Sequence, residues 1–520
     1  MKIKLPQLNK SGELQSSLIE TVGLETIGLK KPPQGYIPKN QRKKIIMLSD
    51  DIRTQSGVGG MAREIIMHSA HHFNWVNLGG AVKHPENGKG YDLSQEVNKQ
   101  TGLTDADVKV IATDGYGNQS MLRQIIFQEK PDAIVHFTDP RYWVWMYQME
   151  NEIRQQCPLV FYTIWDDVPY PMWNREFYRS DDMLLCISKQ TKNIVENVLK
   201  DHKKPDWAIK YVPHGIDENK FFPVINDLEI EAFRKKIIGD EEYEFTVLWN
   251  SRNIRRKNAS DIILAWRTFL DQLPKEKAKK CILLLKTEPV FEHGTDLPAV
   301  IDALCDPEIH KVKIINERFP EKQLNYLYNC SDAHMFMTDN EGWGLGLTES
   351  LMAGKMIIAP VQGGMQDQMR FEDEKGNWIN FSTEHPSNAD GRYKKCGKWA
   401  MPIFPKTRSV KGSPPTPYIF STQCSIEDAA IALMKVYKMD PKERSERGLA
   451  GREWLISDEA GCTAKNMGQG FIDNIDILLE KWEPKPRFTV TKIDDNTLLD
   501  NYIPSPISLT SEFIKEIQSI

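Results

Sequence analysis

Nothing in this sequence supplies a covalent or metal framework. Its eight cysteines, at positions 157, 186, 281, 305, 330, 396, 424 and 462, are scattered over 520 residues, and no two form a C-x-x-C pair. Several lie in apolar runs such as LLCIS and CILLL. They read as buried free thiols of a reducing compartment, not as disulfides or zinc ligands. No apolar run is long enough to cross a bilayer, and the opening MKIKLPQLNKSGELQ has no signal-peptide core. The expected location is cytoplasmic, without stable membrane association. Net charge is small, −5, which argues against a basic coat over the whole surface but leaves room for a local basic face. No internal repeat stands out. What is present is ordinary globular composition, 40% apolar and 27% charged, with length for two or three domains.

The chain alternates short apolar strands with helical stretches. KKIIMLSDD, KVIAT, DAIVHFTD, PLVFYTIWD and MLLCIS read as strands, with the glycine loop TQSGVGG and the helix MAREIIMHSAHHF after the first. A second series runs EFTVLWNS, KKCILLLKT, HKVKIIN, DAHMFMT and KMIIAP, separated by helices such as ASDIILAWRTFLDQL. Such alternation implies parallel sheets. The expected fold is α/β: two doubly wound, Rossmann-like domains facing across a cleft. Residues 1–40 read as an extension, 41–235 as an acceptor domain and 236–480 as a donor domain. Within the latter, 371–420 reads as an irregular insertion, and 481–520 as a tail ending in one helix, SEFIKEIQSI.

The stretch NEGWGLGLTESLMAG (340–354) carries the first chemical signal. It follows a strand and opens a helix that Gly354 stops. Gly342, Gly344 and Gly346 allow a bend and let a ligand approach backbone N–H groups, while a helix N-terminus favours an anion. Glu341 and Glu349 add two carboxylates suited to sugar hydroxyls. The bland alternative is a helix start whose glutamate only complements the dipole. A second signal is WNSRNIRRKNAS, just past the strand EFTVLW. Arg252 and Lys257 there are placed to hold a diphosphate and to stabilise charge on it as it departs. A solvated basic turn is the competing reading.

Together these residues resemble GT-B glycosyltransferases of the large retaining family 4 type. The family's strand–Gly-Arg–x4–Lys element appears as Ser251, Arg252 and Lys257, and its E-x7-E element as Glu341 to Glu349 followed by SLMAGKMII. ISKQT (187–191) and VPHGID (212–217) match two linker signatures. The resemblance implies a nucleotide-sugar donor, most simply a UDP-sugar. Arg252 and Lys257 would hold its diphosphate with the N–H groups of Gly344 and Leu345, and Gly346 would keep the approach open. Glu349 would bind the ribose and Glu341 the donor sugar. The loop Gly57–Gly60, with Gly59 and Gly60 as contacts, would close over the donor, and Asn316 joins the donor-binding set. Glu341, Arg252 and Lys257 are thus the catalytic candidates. No cofactor or metal is expected, because the cations take the metal's place; DAD (105–107) imitates a metal motif but sits in a polar turn. Where many members carry a histidine near the reacting sugar, this chain has Trp165 and Asp166, with His136 as another acceptor-side candidate or a core residue.

The acceptor is open to three readings. The aromatic texture of DPRYWVWMYQMENEIR and TIWDDVPYPMWN resembles large phage glycosyltransferases, some of which modify hydroxymethylated pyrimidines in DNA. Between Gly391 and Phe420 there are seven Lys or Arg, Lys394 and Lys395 among them, and no acid. Basic residues interleaved with aromatics suit a phosphate backbone and stacked bases, and a base in a duplex must be extruded before reaction. A DNA acceptor bearing 5-hydroxymethylcytosine is the first reading. A saccharide or lipid-linked glycan is the second. A nucleotide-sugar-binding protein without catalysis is the third.

Overall fold

A computed structural model of the chain describes residues 33–225, 228–381 and 393–487. Most of the 1–40 extension, the tail helix SEFIKEIQSI, Gly391 and Arg392 lie outside the described residues. The first sheet contains β1 (Lys43–Asp50), β2 (Phe73–Val82), β3 (Gly90–Asp92), β4 (Val108–Asp114), β5 (Ala133–Phe137), β6 (Leu159–Thr163), β7 (Met183–Cys186) and β8 (Ile209–Tyr211). Their order is β3-β4-β2-β1-β5-β6-β7-β8, parallel except at the edge strand β3. The second sheet, β11-β10-β9-β12-β13-β14, is wholly parallel. Its strands are β9 (Phe245–Asn250), β10 (Cys281–Lys286), β11 (Lys311–Ile315), β12 (Ala333–Met335), β13 (Met356–Pro360) and β14 (Ala400–Ile403).

The reason for this architecture lies in the strand sequences. β1, β5, β6 and β9 are apolar on both faces and buried along nearly their whole length, so each must be covered on both sides by helices. The helices begin where polar caps allow. Ser56 accepts the N–H of Gly59 at the start of Gly57–Met67, and Ser188 accepts that of Thr191 at the start of Lys189–Val198. β2 is not among the sequence-derived strands because Gly79 and Gly80 interrupt it. A Cβ on Gly80 would sit 2.2 Å from the Gly115 carbonyl oxygen, so this strand can pass its neighbour only as glycine.

Two further expectations are corrected. The insertion 371–420 is not irregular throughout: it supplies β14 and a two-stranded antiparallel hairpin, β15 (Thr407–Ser413) and β16 (Thr416–Gln423). The helix Ala464–Lys481, placed with the donor domain from sequence, packs on the first domain. Phe471 meets Tyr162 with ring centroids 4.9 Å apart, and Gly468 lies where a Cβ would come within 2.6 Å of the His68 Cβ. The chain therefore crosses between domains twice. The crossings run side by side, with the Ile216 N–H donating to the Cys462 carbonyl and the Ala464 N–H to the Ile216 carbonyl.

Arg444 joins several elements in the second domain. Its guanidinium is buried and donates to Asp332 and to the carbonyls of Tyr437, Met439 and Glu244. Arg444→Ala should lower stability by about 2–4 kcal/mol, through the lost charge-assisted bonds and the carbonyls left unpaired, as chemical denaturation would measure.

Candidate functional site

The carboxyl ends of the two sheets face each other across a cleft of about 1120 Å³. A smaller cleft of about 360 Å³ adjoins it and shares Ser56, Gly57, Asn250, Leu345 and Glu349.

The cation turn and the acid loop are sewn together by backbone. After β9, residues 251–258 curl so that the Arg256 carbonyl accepts from the Asp339 N–H and from the Thr338 hydroxyl. The Arg256 guanidinium donates to the Asn340 carbonyl at 2.6 Å, and Asn258 donates to the Met337 carbonyl. Lys257 is thereby held against Glu341, with which it forms an ion pair. Burial, then the neighbouring Arg256, pushes the Lys257 ammonium well below its usual range, while Asp166 opposes this. Contact with the Glu341 carboxylate favours the charged form. Arg252, by contrast, is exposed at the cleft and has no ion pair among the described residues. Its fork is open to a ligand.

The glycine loop is fixed from behind. Gly344 has φ +87° and begins the helix Leu345–Met352. Gly363 has φ +52°, and a Cβ there would lie 1.8 Å from the Glu341 carbonyl oxygen. The Gln368 amide donates to the Trp343 carbonyl, and the Trp343 indole donates to Thr348. Below the loop, His334 accepts from the Asn250 N–H through Nε2 and donates through Nδ1 to the Gly346 carbonyl. Both ring nitrogens are thus assigned, and burial pushes this histidine down to about 3. Glu349 accepts from the Tyr328 hydroxyl, which in turn accepts from the Asn250 amide. Burial pushes the Glu349 carboxyl up to about 7.

The opposite wall comes from the first sheet. Asp50 ends β1, accepts from the Ser56 and Tyr116 hydroxyls, and is raised by burial. Asp166 and Asp167 follow β6. Burial raises Asp166 against the pull of Arg256 and Lys257, and burial together with Asp166 raises Asp167. Trp165 is buried, and its indole donates to the Asp167 carbonyl. Arg141, paired with Asp139, lies 5.9 Å from the Trp165 ring centroid.

Of the sequence-derived candidates, Arg252, Lys257, Glu341, Gly344, Leu345, Gly346, Glu349, Trp165 and Asp166 all line the large cleft. Gly60 lines the smaller one, and Gly59 is buried behind it. Gly57–Gly60 is not a loop but the first turn of a helix, because the Ser56 hydroxyl caps it. Four candidates fall elsewhere. His136 is fully buried, bonded to Asp181 and Tyr147 and stacked on Phe161, so it is a core residue. Asn316 is exposed beyond β11 and lines neither cleft; Arg318 and Phe319 take that place. Lys394 and Lys395 are exposed away from the cleft, and Lys395 is paired with Glu372. The DAD carboxylates are occupied by Arg42, Tyr36 and Lys39. Among the described residues one group has metal-ligand spacing, Glu64, His68 and Asp217, and Glu64 is already paired with Lys220 at 2.6 Å. The sequence reading missed Asp50, Asn250, Tyr328 and His334 as site residues. The first two end strands, which is the signal that marks ligand positions in such sheets.

Comparison with solved structures settles the architecture. A glycosyltransferase from Rickettsia africae superposes with a TM-score of 0.57 at 14% identity, covering 85% of this chain and all of that one. The fold is GT-B. Sucrose-phosphate synthase from Thermosynechococcus elongatus matches with a TM-score of 0.57 at 14% identity, over 84% of this chain and 100% of that one. Anabaena HepE, solved with UDP and glucose, matches at 0.55 and 13% identity over the same shares. No protein-family model and no curated protein sequence matches the chain.

Gly363→Ala should cost about 2–4 kcal/mol, since both the positive φ and the Glu341 carbonyl oppose a methyl group. Denaturant titration checks it. A Gly376→Ala variant, with φ +83° but nothing within 4 Å of its Cβ position, should cost less.

Proposed function

We propose that this chain is a retaining glycosyltransferase that moves a sugar from a UDP-sugar to a hydroxyl of an uncharged acceptor, a saccharide. The observation that carries this reading is the convergence of Arg252 and Lys257 from one segment with Glu341 and Glu349 from another on one cleft between two GT-B domains.

In the reaction, the bond between the anomeric carbon and the diphosphate oxygen breaks, and a bond from that carbon to the acceptor oxygen forms on the same face. The acceptor proton passes to the departing phosphate. Arg252 and Lys257 stabilise the charge that grows on the diphosphate, with the N–H groups of the Gly344–Leu345 helix start. Glu341 holds the donor sugar, and Glu349 accepts from the ribose hydroxyls. No divalent ion is needed, because two fixed cations meet the same charge.

The acceptor wall supports a neutral ligand. Asp50, Asp139, Asp166 and Asp167 line it with Phe137 and Trp165. Carboxylates and an aromatic ring suit hydroxyls and a sugar face, whereas a phosphate backbone there would meet like charge. A second reading, 5-hydroxymethylcytosine in DNA, keeps one observation in its favour: Lys394 and Lys398 are exposed and free of acidic partners among the described residues. Against it, Lys395 and Lys406 each lie beside an acid outside the run 391–420, namely Glu372 and Asp428.

The test is incubation with a panel of nucleotide sugars and two acceptor sets, oligosaccharides and hydroxymethylcytosine DNA, read by mass spectrometry in EDTA. Sugar gain on a saccharide is expected; gain on DNA alone would establish the second reading, and a strict need for a divalent ion would refute the role given to the cations. Arg252→Ala and Lys257→Ala should each lower turnover by about 10²–10³-fold with the fold intact. Donor affinity should also depend on pH. Glu349 is protonated below about 7 in the free protein, and ribose hydroxyls favour the charged form. UDP affinity should therefore rise as pH increases through that value, with proton release on binding, as calorimetry in different buffers would show.

A further inference from the structure

The hairpin β15–β16 belongs to the second domain in sequence, yet it is bonded to both. On one side the Phe420 N–H donates to the Val168 carbonyl at 2.7 Å, the Tyr418 hydroxyl donates to the Tyr170 carbonyl, and Arg141 donates to the Thr416 hydroxyl at 2.8 Å. The Tyr418 and Trp173 rings meet edge to face at 4.4 Å. On the other side the Ser421 hydroxyl donates to the Asp339 carboxylate, and Asn340 donates to the Phe420 carbonyl. Asp339, whose carboxylate is already taken by Asn258 and Ser421, gives Lys411 only a partner at 3.7 Å. The Lys411 ammonium lines the cleft, as do Thr416, Ser421 and Gln423.

We propose that this hairpin is the acceptor-selecting wall of the site and that Lys411 and Thr416 are its specificity-determining residues. The inference rests on the transferase reading above. The chemistry is two-sided. The first-domain wall offers carboxylates, which only accept when ionised; the hairpin offers the Lys411 ammonium, the Thr416 hydroxyl and the Gln423 amide, which donate. A ring bearing several hydroxyls donates to the first wall and accepts from the second, so it satisfies both. A ligand with one kind of group satisfies only one. The cross-domain bonds fix the spacing between the walls, and hence the size of ring that fits.

The experiment uses the full chain with UDP-glucose as donor and glucose, maltose and hydroxymethylcytosine DNA as acceptors. Lys411→Met and Thr416→Val keep the side-chain bulk and remove the donors. Each should raise the KM of the accepted saccharide about tenfold, while the UDP dissociation constant measured by calorimetry moves less than twofold. Unchanged acceptor KM in both variants would overturn the proposal, as would an equal loss of UDP affinity. A parent chain that binds neither UDP nor any nucleotide sugar of the panel would instead overturn the transferase reading and this inference with it. Amide hydrogen exchange reads the bridge without substrate. Slow exchange at Phe420 is expected, and exchange at the rate of an open loop would show that the hairpin does not hold the first domain.

Discussion

The site depends on keeping a lysine ammonium charged in a place that disfavours charge. Lys257 is buried at the meeting point of the two sheets, beside a second cation, Arg256. Burial of an ion is costly unless a counter-ion and well-placed partners remain with it. Glu341 is that counter-ion, and it stays because its backbone is trapped. Gly363 packs on its carbonyl, and the turn 251–258 is bonded to 337–340 at several points. The glycines of the loop follow from this constraint. A side chain on Gly346 would come within 2.9 Å of the His334 ring, and His334 is the clamp that joins the end of β9 to the loop.

From that pair outward the cleft is electrically biased. The second domain supplies Arg252, Arg255, Arg256, Lys257 and Lys411 against Asp339, Glu341 and Glu349, and the first supplies Asp50, Asp139, Asp166 and Asp167 against Arg141. In a partly dry cleft such a bias is worth more than it would be in water. It orients a ligand with an anionic end and a hydroxylated end without contacting every atom. Burial raises Asp50, Asp166 and Asp167. Carboxylates accept from hydroxyls, so this wall offers a hydroxylated ligand a row of acceptors.

Much of the donor end was legible in the sequence because it is built from short contiguous motifs. RNIRRK and NEGWGLGLTES each occupy one strand end and the turn after it, so local spacing determines their placement. The acceptor end was not, since its parts come from separate segments. The run 391–420 looked like a basic face because its neutralising acids, Glu372 and Asp428, lie outside it. His136 could be read either as a cleft or as a core residue because it lies next to the end of an apolar strand, and its ring turns inward to Asp181. The hairpin was hidden by its own composition: KGSPPTP holds a glycine and three prolines, yet only Pro414 and Pro415 form the turn, and the rest lies in the two paired strands. Tyr328 carries no motif at all. It matters only because folding brings it between Asn250 and Glu349.

The hairpin changes what the two-domain cleft can do. The domains are joined near 216 and 463, where the two chain crossings are bonded to each other. If this were the sole connection, the lobes could swing freely about it and the width of the cleft would be set only by the ligand. The bonds from Phe420 and Tyr418 to Val168 and Tyr170 add a tie across the cleft. They join other cross-domain bonds, among them those of Lys189 and Gln190 to Asp367, Gly363 and Gln366. Widening the cleft at the acceptor wall breaks the Phe420–Val168 bond and separates Tyr418 from Trp173. The acceptor wall thus holds its geometry while the donor end, where Arg252 is exposed and has no ion pair among the described residues, keeps its access to solvent.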